Sequence, residues 1–254
     1  VAWLLAWIRR SLSRLIDVLS ILGFSWIVCS NFKNVAAPSV GELRGVVFLG
    51  GAYSDTVQAF DPVIALADNE YVTDKSEPSF TSDNFYPALP FTIRSSGDVS
   101  GSLDSVVMSL GQFKSNLGAN GAAVKNAGTA RIFDQMAFSA YYSKSPDHNA
   151  ANISFIDGVL DPSAGLGQIK IEASDGSGVH TVVIAYDEGQ GQWKNKKLTF
   201  DLATQKWTGV ISGTTTTQFF VQVVDNAGNV AINDNKGRYY KLSPPLPLAP
   251  GRQL

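Results

Sequence analysis

The sequence predicts an all-β fold: a C-terminal antiparallel sandwich, preceded by a second β-rich unit and an N-terminal apolar helix. Three observations carry this reading. Phe219, Val221 and Val223 form one apolar row at period two, stop at Asp225-Asn226-Ala227-Gly228-Asn229, and resume as Val230-Ala231-Ile232. Asp, Asn and Gly supply the positive φ and local hydrogen bonds that a hairpin turn needs. From Gln168 to Leu242, turn clusters recur roughly every 8–12 residues between alternating apolar runs, as in an antiparallel sandwich. Residues 1–29 are of another kind. There Leu4, Leu5, Ile8, Leu12, Leu15, Ile16, Leu19 and Leu22 lie at helical spacing opposite Arg10, Ser13, Arg14, Asp17 and Ser20.

The C-terminal strands follow in order. Gln168–Ser174 sends Ile169, Ile171 and Ala173 inward and Gln168, Lys170 and Glu172 outward. The turn Asp175-Gly176-Ser177-Gly178 leads to Val179–Tyr186, where Val182, Ile184 and Tyr186 share a face. Asp187-Glu188-Gly189-Gln190-Gly191 turns the chain into Trp193–Leu202, with Leu198, Phe200 and Leu202 expected inward. Lys206–Ile211 brings Trp207 to the aliphatic rows, and the Phe219 hairpin and Gly237–Leu242 complete the set.

Upstream, the expected strands are Arg44–Leu49, Val57–Ala65, Phe91–Arg94, Ser105–Phe113 and Ala130–Tyr142, the last fitting either a strand or a short helix. Asp74–Pro78, Ser95–Ser102 and Gly118–Gly128 read as turns or loops. The polar stretch Ser143–Asn152, with Pro146, reads as a linker. The domain plan is therefore a helical segment over 1–40, a β-rich domain over 41–142, a linker over 143–152, a sandwich over 153–242 and a tail over 243–254. Ser243-Pro244-Pro245-Leu246-Pro247 carries too much proline for sheet or helix and reads as an extended stalk leading onward. A chain starting on Val1 is expected to be a fragment, a processed product or a translation from an alternative start.

Three readings of residues 1–29 compete. Arg9-Arg10 and Arg14 followed by apolar residues 18–28 suit a signal peptide or anchor. Arginine on the polar face with tryptophan at its edge suits a helix lying in a membrane interface. An ordinary helix packed on the domain is the third. A simple span is weakest, because Arg14 and Asp17 leave less than the ~20 apolar residues it needs. Cys29 follows the bulky Trp26-Ile27-Val28, a poor fit to a lipoprotein cleavage site.

Composition narrows the partners. Net charge is −2 and only 17% of residues are charged, so nucleic acid is not an expected partner. The single cysteine excludes an internal disulfide and a cysteine-based metal site. With two histidines, a zinc site would need carboxylates.

Ser174-Asp175-Gly176-Ser177-Gly178-Val179, Tyr186-Asp187-Glu188-Gly189, Trp207-Thr208-Gly209 and Phe219–Asn229 occur in that order. This run, over residues 152–242, resembles the immunoglobulin-like or fibronectin-type-III-like modules of large secreted bacterial proteins. Phe85-Tyr86-Pro87, Pro90–Arg94 and Phe133–Ser143 are similar to a segment that often precedes such modules. Phe219 stands where those modules commonly carry Tyr, so the corner hydroxyl is missing. The resemblance implies a spacer, adhesion or accessory role at the cell surface and no active site.

Candidate chemistry is sparse. Asp225, Asn229 and Asp234, with Asn226 and Asn235 nearby, crowd two loops with the oxygens calcium prefers, in a spacing that matches no EF-hand or nonapeptide repeat. The competing explanation is turn chemistry alone. Trp193, Tyr239 and Tyr240 could form an aromatic platform for polysaccharide, against the alternative of core packing. Ser177 between two glycines, with His148 and His180 elsewhere, lacks the elbow of a hydrolase nucleophile. Gly50-Gly51 lacks the lysine of a phosphate loop and reads as a strand-end turn. The expected function is a non-catalytic structural or adhesion portion of an exported bacterial surface protein, extracellular or at the cell surface. Its expected partners are cell-wall polysaccharide or another surface protein, with membrane contact through residues 1–29 and calcium as the one candidate cofactor. The alternative is an accessory C-terminal region of a secreted peptidase or glycosidase whose catalytic domain lies elsewhere.

Overall fold

The computed structural model describes residues 5–7, 30–34, 41–62, 80–98 and 101–245. Its strands are β1 (Leu5–Trp7), β2 (Ser30–Asn34), β3 (Glu42–Gln58), β4 (Phe91–Asp98), β5 (Gly101–Ser109), β6 (Gly111–Leu117), β7 (Ala123–Ser143) and β8 (Asn152–Asp161). There follow β9 (Leu166–Ser174), β10 (Val179–Asp187), β11 (Gln192–Lys197), β12 (Thr199–Asp201), β13 (Lys206–Ser212), β14 (Gln218–Asp225), β15 (Val230–Asn233) and β16 (Tyr240–Lys241). The chain is all-β with antiparallel sheets, and no helix lies among the described residues. The helix expected over 1–29 falls outside the described residues, except that Leu5–Trp7 is a short strand.

Two compact units form. One holds Val1–Ala6, Ala37–Gly50 and Ala137–Leu254, and the other Trp7–Ala36 and Gly51–Met136, so β3 and β7 each contribute to both. Ser143–Asn152, expected as a linker, lies within the first unit.

In the first unit a four-stranded sheet, β12-β13-β9-β8, shares a core with the strands β11-β10-β14-β15. Ile169 and Ile171 from the smaller sheet meet Val182, Ile184, Phe219, Val221 and Val223 from the larger. Burying each such side chain contributes roughly 1.5–3 kcal/mol. The period-two rows supply this core as the sequence predicts, with Ala173, Tyr186 and Trp207 packed at its margin.

Trp193–Leu202 is two strands instead of one. The Leu198 N–H donates to Val182 O (2.9 Å) in the larger sheet, and Thr199 then pairs with Thr208 in the smaller. That change of sheet ends the alternation: Leu198 is buried, Phe200 is partly exposed, and Leu202 lies 77% exposed in a turn. Asn152–Asp161 adds a strand the pattern did not announce, paired to β9 with an irregularity between Ile153 and Phe155. Gly237–Leu242 shrinks to Tyr240–Lys241, because Asn235, Lys236, Gly237 and Tyr239 all have positive φ.

The outer face of the larger sheet is covered as well. β3 crosses it from β15, where Gly45 lies against Val230, over β14 at Phe48, to β11 at Gly50. It arrives edge-on. The Phe48 N–H donates to Gln222 Oε1 (2.7 Å), and Gln222 Nε2 donates to Phe48 O (3.0 Å). Val47 joins Tyr141, Val183 and Val224, while the Phe48 ring packs on Phe138, Trp193 and Phe220. β14 is therefore buried on both faces, and its even positions Phe220, Gln222 and Val224 are as enclosed as its odd ones. Gly50-Gly51 sits inside β3, not at a strand end: at Gly50, with φ +120°, a Cβ would lie 2.3 Å from Trp193 O.

In the second unit β2-β5-β4 form a three-stranded sheet, and β6 pairs with β7. Ser105–Phe113 divides at Leu110 into β5 and β6, and the expected Gly118–Gly128 loop contracts as β7 begins at Ala123. Phe91–Arg94 extends to Asp98, while the strand expected at Val57–Ala65 ends at Gln58 as part of β3. Arg131, 5% exposed, grips Asp55 through Nε (2.8 Å) and Nη2 (2.9 Å). Its guanidinium lies 3.6 Å from the centre of the Tyr53 ring and 4.1 Å from that of Phe85. Arginine suits this place because its flat group stacks and makes two parallel bonds at once.

Candidate metal centre

Three connections meet at one end of the first unit. β10 and β14 are antiparallel with Val179 opposite Asp225, which sets the β9–β10 and β14–β15 turns side by side. Asn226 ties these turns, its N–H donating to Gly178 O (2.9 Å) and its Nδ2 to Ser177 O (2.7 Å). Asn229 brings in the β7–β8 connection, its Nδ2 donating to Asn149 O (2.9 Å) and Asp147 O (3.2 Å). Arg44 of β3 holds the same connection by donating to Ser145 O and His148 Nδ1.

The result is a group of three carboxylates, Asp147, Asp175 and Asp225, each offering an oxygen within 4.8 Å of the others. Asp225 is 1% exposed. Its Oδ1 accepts from the Asn229 N–H (2.8 Å) and its Oδ2 from Asn229 Nδ2 (2.9 Å). These bonds satisfy the oxygens but leave the charge uncompensated, and each oxygen keeps a lone pair. Asp147 Oδ1 accepts from the N–H and Nδ2 of Asn149, and Asp175 Oδ1 from the N–H and hydroxyl of Ser177. The Ser177 hydroxyl, then its N–H, hold the Asp175 carboxyl below the usual range, so it stays ionised.

Three like charges this close repel by roughly 3 kcal/mol per pair at an effective dielectric of 20. A divalent cation reverses that sign. Calcium binds oxygens at about 2.3–2.6 Å, so two oxygens on opposite sides of one ion lie about 4.8 Å apart. The spacing of Asp147, Asp175 and Asp225 is therefore within the reach of a single ion, with polar backbone of three turns around it.

Of the residues the sequence pointed to, Asp225 and Asn229 are joined to each other here. Asp234 is not with them: it follows β15 at the end opposite Asn229, where its carbonyl accepts from the Tyr239 N–H (2.8 Å). Asp147 and Asp175 take its place. Both open Asp-x-Asn or Asp-x-Ser turns, so local turn chemistry masked them; strand register brings Asp175 to Asp225, and the Asn229 bonds bring Asp147.

The aromatic platform does not form. Trp193 and Tyr239 are 2% and 6% exposed, with ring centres 5.3 Å apart, and both pack on Phe220 beneath β3. Tyr240 is half-buried against Phe219, and its hydroxyl donates to Asn233 Oδ1 (2.9 Å). Ser177 spends its hydroxyl on Asp175 and makes no bond to a histidine ring.

Comparison with protein-family models, with curated proteins and with solved structures finds no match to the chain.

Proposed function

We propose that this chain is a non-catalytic structural or adhesion portion of an exported bacterial surface protein. Its C-terminal region is an immunoglobulin-like sandwich whose end turns are locked by calcium. The observation that carries this reading is the convergence of Asp147, Asp175 and Asp225 from three separate connections. Outside the cell, calcium is abundant enough to fill sites of about 10⁻⁴–10⁻³ M affinity, which are typical of extracellular modules. An ion there would convert three repelling turns into one rigid end, as a spacer or an adhesive surface requires.

The test is thermal melting in calcium and in chelator. At calcium concentrations of ten to a hundred times Kd, binding adds about 1.4–2.7 kcal/mol of stability. For a chain of this size that raises the melting temperature by roughly 3–10 °C. Asp225→Asn and Asp175→Asn should each abolish most of the rise. A melting temperature indifferent to both calcium and chelator would remove the metal. Antibody labelling of intact cells tests the location, and protein confined to the cytosol would sink the surface assignment.

A further inference from the structure

The last described segment of the chain closes the gap between the two sheets of the first unit. Tyr240 and Lys241 pair with Phe219 and Gln218 at the start of β14 in the larger sheet. Two residues later, Ser243 forms a parallel bridge to Val159 of β8 in the smaller sheet. The Leu160 N–H donates to Ser243 O (2.8 Å) and the Ser243 N–H to Gly158 O (2.9 Å). Between these anchors Leu242 drops into the shared core and is 2% exposed.

Its seat is built to measure. A Cβ at Gly167 or Gly213 would lie 2.5 or 2.7 Å from Leu242 Cδ1, and one at Gly158 would lie 3.2 Å from Cδ2. The absence of three side chains makes the hole that Leu242 fills.

The connection to this clasp is strained. Asn235, Lys236 and Tyr239 have φ of 57°, 56° and 55°, and Gly237 has 83°. Asparagine and glycine accept this region, whereas lysine and tyrosine pay a steric penalty for it. A short, tightly folded hinge before a well-seated segment favours exchange of that segment between molecules, because extending the hinge relieves strain and every native contact is remade in trans.

We propose that residues 239–243 are an exchangeable clasp whose partner is a second copy of this chain. In the exchanged dimer, Leu242 of one molecule fills the glycine socket of the other, and Asp234–Arg238 runs extended between them. The clasp depends on neither the metal nor the surface role.

The test uses the full chain with Cys29→Ser and the pair Val159→Cys and Ser243→Cys. Residues paired across a β-bridge are near enough for a disulfide. The protein is refolded at low and at millimolar concentration, oxidised, and examined by light scattering and on non-reducing gels. Exchange predicts a dimer formed at high concentration whose two chains are joined covalently through the introduced pair. Dimers that dissociate into internally cross-linked monomers on the gel, or a monomer at every concentration, would overturn it. Lys236→Gly removes strain from the closed hinge alone. It should raise the dimer dissociation constant at least roughly 25-fold, the roughly fivefold factor for one relieved left-handed residue counted once for each of the two chains. An unchanged constant would equally overturn the proposal.

Discussion

At the scale of single residues, Gln222 shows how one polar side chain can be indispensable inside a core. Its amide faces the backbone N–H and C=O of Phe48 and satisfies both, at a depth where water cannot. An orphaned buried donor or acceptor costs about 1–3 kcal/mol. Gln222→Ala should therefore destabilise the protein by roughly 2–5 kcal/mol, measured as a lower urea midpoint. Gln222→Met keeps most of the volume and loses both bonds. It should cost nearly as much as alanine, and a neutral methionine variant would show that shape, not hydrogen bonding, holds β3 in place.

At the scale of elements, the strand β3 decides what could be read in the sequence. The rows Ile169/Ile171, Val182/Ile184 and Phe219/Val221/Val223 were legible because a strand's own alternation names the residues that face a neighbouring sheet. The even positions of β14 were not. Their partner lies 174 residues earlier in the chain, and no local pattern encodes a strand arriving from that distance. The same limit hid Asp147 and Asp175, whose turn chemistry is local while their meeting depends on register and on the Asn229 bonds. Phe200 and Leu202 misled for a third reason: alternation continues in the sequence while the chain steps from one sheet to another just after the buried Leu198. The passage of β3 past β11 also makes Gly50 irreplaceable. Gly50→Ala meets Trp193 O at 2.3 Å in a backbone conformation that L-residues avoid. A loss of about 3 kcal/mol or more is expected, or roughly 6–12 °C in melting temperature. Gly176→Ala, with nothing within 4 Å of its Cβ, serves as the control and should change stability by about 0.5 kcal/mol or less.

At the scale of the whole molecule, acid should act through the turns. Asp161, Asp175 and Asp201 each accept a serine or threonine hydroxyl and nearby backbone N–H groups, and all three carboxyls are held below the ordinary value of 3.8. A carboxyl lowered by folding adds stability that is present above its unfolded value and is lost as pH falls through its folded value. In chelator, the melting temperature should stay level from neutrality to about pH 5 and fall below about pH 4, where ordinary aspartates begin to protonate. Asparagine at the three positions keeps the turn geometry and removes the titration, so the triple variant should lose less between pH 4 and pH 2. An identical decline in both proteins would place the acid sensitivity elsewhere.

The crossing of β3 also sets an order in time. Phe48 must wait for Gln222, and 174 residues separate them. At roughly 5–20 residues per second of synthesis, the covering strand leaves the ribosome about 9–35 s before the surface it will cover. Through that interval Val46, Val47 and Phe48 are apolar groups without a home. A strand of the first unit made early is thus among the last to be finished, and in the interval its apolar residues stay exposed to other chains.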